Sequence, residues 1–270
     1  MTAPIALAAL ALLLAWPVPL LLARASWPSR SPALALVLWQ AIAVAGGLSM
    51  IGSLLAIGLA PFGGHPFGVI DWVAGNGAAV QAHPGNLLAL TGAVLLTGHL
   101  LLNLLVTVVR SERQRRRHAQ LLQLLSTPLE GSTARVIDSP APVAYCLPGA
   151  LSSVTVVSAG LVSLLDDDEL QAVIEHERAH VDQRHDVVLV LFRAWRASLP
   201  WFPIAYRAER EVGMLVEMIA DDRARRTVDD AVLARTIALV GAGQDRPIDE
   251  LGDSPSVDEL AARIARLAPA

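Results

Sequence analysis

The sequence contains no lysine, and all 21 of its basic residues are arginine. We interpret this absence as a bias in genomic base composition. A single cysteine, Cys146, excludes an internal disulfide framework. Charged residues make up only 17% of the 270 residues, and the net charge of −4 gives no basis for direct nucleic-acid binding by the chain as a whole. These shortages leave an unusually apolar chain.

The apolar content is too high for an ordinary soluble protein. Hydrophobic residues make up 54% of the chain and the mean hydropathy is +0.50. Three stretches carry no charge: residues 5–22, which Pro17 and Pro19 interrupt, residues 33–60 and residues 87–109. The last two are each long enough to cross a hydrocarbon core of about 30 Å. We predict three transmembrane helices, with the lipid bilayer as a partner.

The distribution of arginine predicts the orientation. Arg24 and Arg30 lie between the first two spans, the loop 61–86 holds no arginine, and the third span runs into the basic segment 110–117. By the positive-inside rule the N-terminus and the loop are outside, and everything after residue 110 is cytoplasmic. The basic segment also resembles a nucleic-acid patch, but its position beside a span favours contact with anionic lipid. The predicted location is the cell membrane, multi-pass.

For several single residues the sequence leaves two interpretations open. His99 lies inside the third span, where we expect an interhelical hydrogen bond, although a polar group in lipid is also a functional candidate. The outer loop, with His65, Trp72 and His83, is either a plain connector or a sensor. Cys146 is either a small buried residue or a thiolate that occludes a metal.

The pattern H-E-x-x-H stands at residues 176–180. Asp166 and Glu169 form a predicted capping box, and the apolar residues that follow recur at helical spacing, so the pattern lies about two turns inside a helix. Residues four apart share one helix face, so that His176 and His180 can bind one metal ion beside Glu177. A zinc hydrolase uses this arrangement, because zinc lowers the pKa of a bound water to about 7 and the carboxylate takes its proton. A chance copy of the pattern need not lie on a helix.

A third ligand is expected because two histidines alone seldom hold zinc. The predicted helix 205–226 places Glu217 on a stripe between apolar residues, so that its carboxylate points inward and needs a cation. Asp221, one turn later, is placed to accept a hydrogen bond from His176 or His180. Glu209 or Glu211 remains the alternative ligand, since periodicity fixes the helix face only loosely.

The region after residue 130 has the composition of a globular domain. Residues 134–138 and 153–158 resemble strands separated by turns at 139–142 and Pro148–Gly149, and an edge strand near a metal helix can hold an extended substrate. The apolar stretch 187–205 contains Arg193 and Arg196, so we predict a domain helix resting on the inner leaflet and no fourth span.

The predicted fold is mainly α: three transmembrane helices followed by an α+β zincin-type domain with a small β-sheet. The predicted domains are a membrane domain at 1–109, a basic juxtamembrane helix or linker at 110–129, and a cytoplasmic zinc peptidase domain at 130–270. The last domain is expected to close with a helix near 229–240, a linker at 241–255 and a capped helix at 256–267.

The segment 136–186, followed by "EMIADD", resembles the membrane gluzincin peptidases, most closely the BlaR/MecR-type antirepressor peptidases and more distantly the HtpX and CAAX-prenyl protease family. The resemblance implies zinc on His176, His180 and Glu217, Glu177 as general base and then acid, and Asp221 as support. It also implies that Arg184 and Asp186 pair. Because His185 lies five residues past His180, we do not expect it to be a ligand.

The predicted function is a membrane-anchored zinc endopeptidase that hydrolyses a cytoplasmic or membrane-adjacent polypeptide in regulated proteolysis. The resemblance implies a transcriptional repressor as one candidate substrate. The penicillin-binding sensor of the BlaR type is not found after the peptidase segment, so antibiotic sensing is not expected. Two alternatives are a housekeeping protease for membrane proteins and an inactive membrane scaffold.

Overall fold

The computed structural model describes residues 2–75, 83–129, 134–147, 154–243 and 257–267. The predicted Pro148–Gly149 turn and most of the predicted linker 241–255 lie outside these residues. The prediction of a mainly helical chain with three apolar N-terminal helices and a small sheet is confirmed. Contacts divide the chain into two compact units. The first contains Met1–Ala25, Leu36–Val108 and Leu191–Arg210, and the second contains Ser26–Ala35, Val109–Val190 and Glu211–Ala270.

The N-terminal helices are α1 (Thr2–Ala15), α2 (Pro17–Arg24), α3 (Pro32–Leu59), α4 (Pro66–Val73) and α5 (Pro84–Leu125). Pro17 and Pro19 lack amide donors, which explains the break between α1 and α2. Three candidate spans are long and apolar enough to cross a membrane: Thr2–Arg24, Pro32–Phe62 and Pro84–Leu122. They contain all three predicted stretches, and α5 continues without interruption through the basic segment.

Small and polar residues hold the apolar helices of the first unit together. A Cβ on Gly58 would lie 2.8 Å from the backbone nitrogen of Leu90, so α3 and α5 approach closely only because Gly58 has no side chain. Asn86 Nδ2 donates to the carbonyl of Ile57 at 2.7 Å. The outward apolar side chains of these helices are exposed, as a lipid-facing surface requires.

The second unit contains a four-stranded sheet with the order β1-β2-β4-β3. Its strands are β1 (Ser126–Pro128), β2 (Arg135–Ile137), β3 (Ala144–Leu147) and β4 (Val154–Ser158). β2 and β4 are parallel, with Val136 opposite Val157, whereas β1 and β3 pair antiparallel at the edges. The strands β2 and β4 were predicted; β1 and β3 were not. The sheet therefore offers an edge strand, β3, that packs against the helix of the metal motif.

The remaining helices are α6 (Ala159–Leu164), α7 (Asp167–Asp182), α8 (His185–Ser198), α9 (Pro203–Ala224), α10 (Asp230–Gly243) and α11 (Val257–Leu267). α7 is the central element of the second unit. Val173 packs on the cluster of Val157 and Leu161, whereas Ala172 belongs to a cluster formed with α9, α10 and α11. The helix that carries H-E-x-x-H is therefore held between the sheet and three helices.

The two ends of α7 are fixed by local interactions. Asp166 accepts from the backbone N–H of Glu169, and the Glu169 side chain accepts from the backbone N–H of Asp166, which confirms the predicted capping box. At the other end Arg184 adopts φ 51°, in the left-handed region, and the chain turns into α8. Asp186, expected to pair with Arg184, forms an ion pair with Arg115 of α5.

The compact units do not follow the order of the chain. Leu191–Arg210 belongs to the first unit together with the apolar helices, and Ser26–Ala35 belongs to the second. The helices α8 and α9 thus each contribute residues to both units.

Candidate metal centre

Three side chains from two helices converge on one point. His176 and His180 project from α7, and Glu217 projects from α9. The Nε2 atoms of the two histidines are 3.2 Å apart, and each faces the Glu217 carboxylate, at 3.3 Å from His176 and 3.4 Å from His180. Among the described residues these three form the group of donors that could hold a metal ion. The structure therefore brings together the three side chains proposed from the sequence.

The donor spacing fits zinc. Ligand atoms about 2.0–2.1 Å from a tetrahedral zinc lie about 3.3–3.4 Å from one another, close to the three distances observed. Two neutral imidazole nitrogens directed at each other at 3.2 Å repel unless a proton or a cation lies between them. The donor set of two imidazoles and one carboxylate is also one that zinc prefers.

The charge around the donors also fits a divalent cation. Three carboxylates, those of Glu177, Glu217 and Asp221, act together with one guanidinium, that of Arg263. In the protonation state that metal binding requires, with the carboxylates ionised and both imidazoles neutral, two negative charges are left uncompensated. Burying such an excess is costly, and a doubly charged metal ion would cancel it.

Asp221 lies against the outer nitrogen of His176. Its Oδ1 lies 3.0 Å from His176 Nδ1, although the N–H direction is too far off the oxygen for a regular hydrogen bond. Burial alone would raise the pKa of Asp221, but His176 and Arg263 outweigh it and lower the pKa. Asp221 is therefore a buried anion, and this contact leaves the Nε2 of His176 directed at the other two donors.

Arg263 is a site residue that sequence reasoning missed. It lies on α11 and is buried, donates from Nε and Nη2 to the two oxygens of Asp221 at 2.8 and 2.7 Å, and approaches Glu217 with Nη1 at 3.2 Å. Arg263 thus contacts both Glu217, the proposed ligand, and Asp221, which lies beside His176. One signal was present: Arg263 shares the apolar face of α11 with Leu260, Ile264 and Leu267, where an arginine is unexpected.

His185 supports the second histidine. His185 Nε2 lies 2.8 Å from Gln183 Oε1, and His185 Nδ1 lies 3.1 Å from His180 Nδ1. Burial lowers the pKa of His185 and keeps its ring neutral near pH 7. Because the amide oxygen only accepts, His185 Nε2 donates to it, and His185 Nδ1 accepts from His180. His180 then keeps its Nε2 lone pair for a metal. The contact of His185 with His180 was not predicted from the sequence.

The protonation of the donors depends on their neighbours. Burial alone would lower the pKa of His176, but the carboxylates of Asp221 and Glu217 outweigh burial and raise it. Burial lowers the pKa of His180. For Glu217 the two histidines and Arg263 outweigh burial and lower the pKa. The site therefore holds a carboxylate anion and a proton on His176, which a cation must displace.

Glu177 is suited to proton transfer near neutral pH. Burial is the main cause that raises its pKa to about 7, with a further increase from Glu217 and a partial decrease from His176 and Arg263. A carboxyl group with this pKa can accept and release a proton at physiological pH. Its position directly after His176 on α7 places it beside the donors.

The other candidates from the sequence lie elsewhere. Glu209 forms an ion pair with Arg196 at 2.9 Å within the first unit, and neither Glu209 nor Glu211 belongs to the donor group of the described residues. Cys146 lies on β3 with its Sγ 3.6 Å from Thr155 Oγ1 and is likewise outside this group.

The comparison with protein families supports a peptidase. Residues 109–222 match the model of Peptidase family M48, over somewhat less than half of the chain. This segment includes the three donors, Glu177 and Asp221, and ends before Arg263. No curated protein and no solved structure matches the chain. Together with the three apolar helices, the match supports a membrane-associated metallopeptidase.

Proposed function

We propose that this chain is a membrane-anchored zinc endopeptidase of family M48. The observation that carries the proposal is the convergence of His176, His180 and Glu217 with donor atoms 3.2–3.4 Å apart. The family match and the three apolar helices support the same conclusion independently. The finer resemblance to the BlaR/MecR-type antirepressor peptidases stays a prediction.

In this proposal His176, His180 and Glu217 hold the zinc ion. When bound, zinc supplies Lewis-acid chemistry: it polarises the scissile carbonyl and lowers the pKa of water. Asp221 and His185 hold the outer nitrogens of His176 and His180, respectively, so that both rings direct Nε2 at the ion.

Glu177 moves the proton. Its carboxylate accepts a proton from the attacking water, and the resulting carboxylic acid donates it to the nitrogen of the leaving amine. A pKa of about 7 suits both steps, because neither form of Glu177 is strongly favoured at neutral pH. The residue acts first as general base and then as general acid.

The substrate is a polypeptide. Among the described residues β3 is an edge strand that packs against α7, and its outer edge can pair with an extended peptide by β-augmentation. Such pairing would align the scissile bond with the donors on α7. With the N-terminus outside and the basic segment 110–117 at the inner surface, the substrate would be cytoplasmic or adjacent to the membrane.

An intact proton-transfer residue argues against an inactive scaffold. A scaffold would not need Glu177 beside a complete donor set, so the closeness of Glu177 to His176 and Glu217 supports an active enzyme. Regulated proteolysis, with a transcriptional repressor as one candidate substrate, and housekeeping turnover of membrane proteins use the same chemistry, so they differ in what is cleaved.

The full chain in lipid nanodiscs tests the proposal. Glu177→Gln should keep about one zinc per chain by elemental mass spectrometry and lose about 10²- to 10⁴-fold in peptidase activity on a fluorogenic protein substrate. Glu175→Gln is the matched control, because Glu175 lies on the same helix but pairs with Arg178 outside the site. A wild-type chain that binds no zinc, or a Glu177→Gln chain with full activity, would refute the proposal.

The same variant identifies the substrate. A chain with Glu177→Gln should retain polypeptides that the wild type cleaves and releases. One or a few regulatory proteins among those retained would support regulated proteolysis, whereas a broad set of damaged membrane proteins would support the housekeeping role.

A further inference from the structure

The turn between α8 and α9 carries an uncharged segment of ten residues, Ala197–Tyr206. From the sequence we predicted that the stretch 187–205 rests on the inner leaflet, because Arg193 and Arg196 lie within it. In the structure, Leu191–Arg210 belongs to the same compact unit as the apolar helices. This grouping raises the question of how deep the turn lies.

The contacts of the turn are with the proposed spans. Ser198 is the last residue of α8, so its carbonyl lacks a partner within the helix, and His99 Nε2 of α5 lies 2.9 Å from it. A carbonyl only accepts, so His99 donates. The Phe202 ring packs against Trp16, between α1 and α2, with centroids 6.1 Å apart. The His99 ring and the Ser198 carbonyl satisfy each other's hydrogen-bonding needs, as a site shielded from water requires.

The position of His99 along α5 gives the depth. His99 lies eleven residues before Arg110, the first residue of the basic segment. At 1.5 Å per residue this is about 16 Å along the helix, close to half of a hydrocarbon core of about 30 Å. A turn bonded to His99 therefore lies above the inner membrane surface, within the inner leaflet.

The charges near the turn are compatible with this depth. Arg196 forms an ion pair with Glu209 across the hairpin at 2.9 Å, and its guanidinium lies 5.1 Å from the centre of the Tyr206 ring. These contacts neutralise the charge of Arg196, which precedes the uncharged segment. Arg207, which follows it, is exposed, and its side chain, like those of the other arginines of the hairpin, is long enough to extend toward the headgroups and to attract anionic phosphates there.

We infer that the α8–α9 turn is a re-entrant hairpin that inserts into the inner-leaflet hydrocarbon beside the third span, with lipid acyl chains as its partner. Trp201, at the tip, is 76% exposed in the protein alone. The hairpin would bury this side chain in lipid. The inference does not depend on the peptidase activity.

Spin-label accessibility tests the depth in nanodiscs of phosphatidylethanolamine and phosphatidylglycerol. On a Cys146→Ser background, a nitroxide is attached at Trp201→Cys, Leu102→Cys or Val257→Cys. Leu102 lies in the third span and is 59% exposed, whereas Val257 lies on α11 and, at 77%, is as exposed as Trp201. The ratio of oxygen to nickel-chelate accessibility at position 201 should resemble that at 102 and be several-fold higher than at 257.

A ratio at position 201 equal to that at 257 would overturn the inference, since the turn would then face water. If Trp201→Cys does not give folded protein, the same accessibility ratio is measured at Leu191→Cys. Leu191 is an exposed position on the same hairpin. Position 191 should show intermediate accessibility to the nickel chelate, and full accessibility there would contradict insertion.

Discussion

Arg263 donates two hydrogen bonds to the carboxylate of Asp221, which lies 42 residues earlier in the chain, and its third nitrogen approaches Glu217. Asp221 in turn lies 3.0 Å from His176 Nδ1. One guanidinium therefore sets the position of two carboxylates on α9 that face the histidines of α7. The relationship makes α11 a structural part of the candidate site.

Loss of the guanidinium should weaken zinc binding. Arg263→Ala leaves Asp221 buried without its cation and frees Glu217 to move, so the apparent zinc Kd should rise about 10- to 100-fold. Breaking the buried pair should also destabilise the fold by about 3–5 kcal/mol. Arg263→Lys keeps the charge but loses the paired donors and should be intermediate. Competition with a zinc-sensitive dye measures the Kd.

Arg266 is the matched control for this prediction. It lies on the same helix and pairs with Asp222, outside the donor group. Arg266→Ala should reduce Tm with little change in zinc Kd. Equal zinc affinity in Arg263→Ala and the wild type would show that Arg263 has no role in positioning the donors.

His185 should matter for metal affinity although it is not a donor. His185→Ala removes the acceptor for His180 Nδ1, so the tautomer that presents Nε2 is no longer favoured. A rise of about 10- to 100-fold in zinc Kd is expected, and His185→Gln, which keeps an acceptor, should recover part of it. His118→Ala, on α5, is a control expected to leave the Kd unchanged.

Removal of zinc should reverse the slope of stability against pH. After chelation, the raised pKa of His176 means that the folded protein binds a proton more tightly than the unfolded chain. That stabilisation is complete below the unfolded pKa of about 6.5 and is lost as pH rises toward the folded pKa. Between about pH 7 and 9 the Tm of the chelated protein should therefore fall.

With zinc bound, the same His176 proton competes with the metal, so acid should weaken binding and lower Tm. The two melting series, with zinc and with EDTA, should have slopes of opposite sign over this range. Parallel slopes would contradict zinc binding at His176.

The decrease of peptidase activity toward acid pH should reflect protonation of Glu177. The general base must be deprotonated, so kcat/KM should fall with pH below about 7, the value to which burial raises its pKa. A bound divalent cation favours the carboxylate, so the observed decrease should lie at or below that pH. An activity that rises as pH falls through this range would assign the base to another group.

The sequence predicted the elements with strong local signals. Asp166 and Glu169 mark the start of α7, and the spacing of His176 and His180 is a property of one helix, so neither needed tertiary information. The same holds for the three spans, because length and the absence of charge suffice.

What the sequence did not predict depends on contacts between distant segments. β1 follows α5 without a break and ends at Pro128, so it has no local strand signal, and both β1 and β3 exist through pairing with β2 and β4. His185 lies against His180 because Arg184 turns the chain in the left-handed region. Arg263 lies far from its partners in sequence, and no local pattern indicates which carboxylates it contacts.

The dependence of the site on α11 has a consequence for biosynthesis. The ribosome produces both imidazoles and the carboxylate of Glu217 well before the guanidinium that neutralises their surroundings. A nascent chain that ends before α11 therefore has no Arg263 to pair with Asp221 and Glu217. If the proposed activity holds, we expect it to begin only after α11 has docked, so that an incomplete chain would not cleave neighbouring proteins.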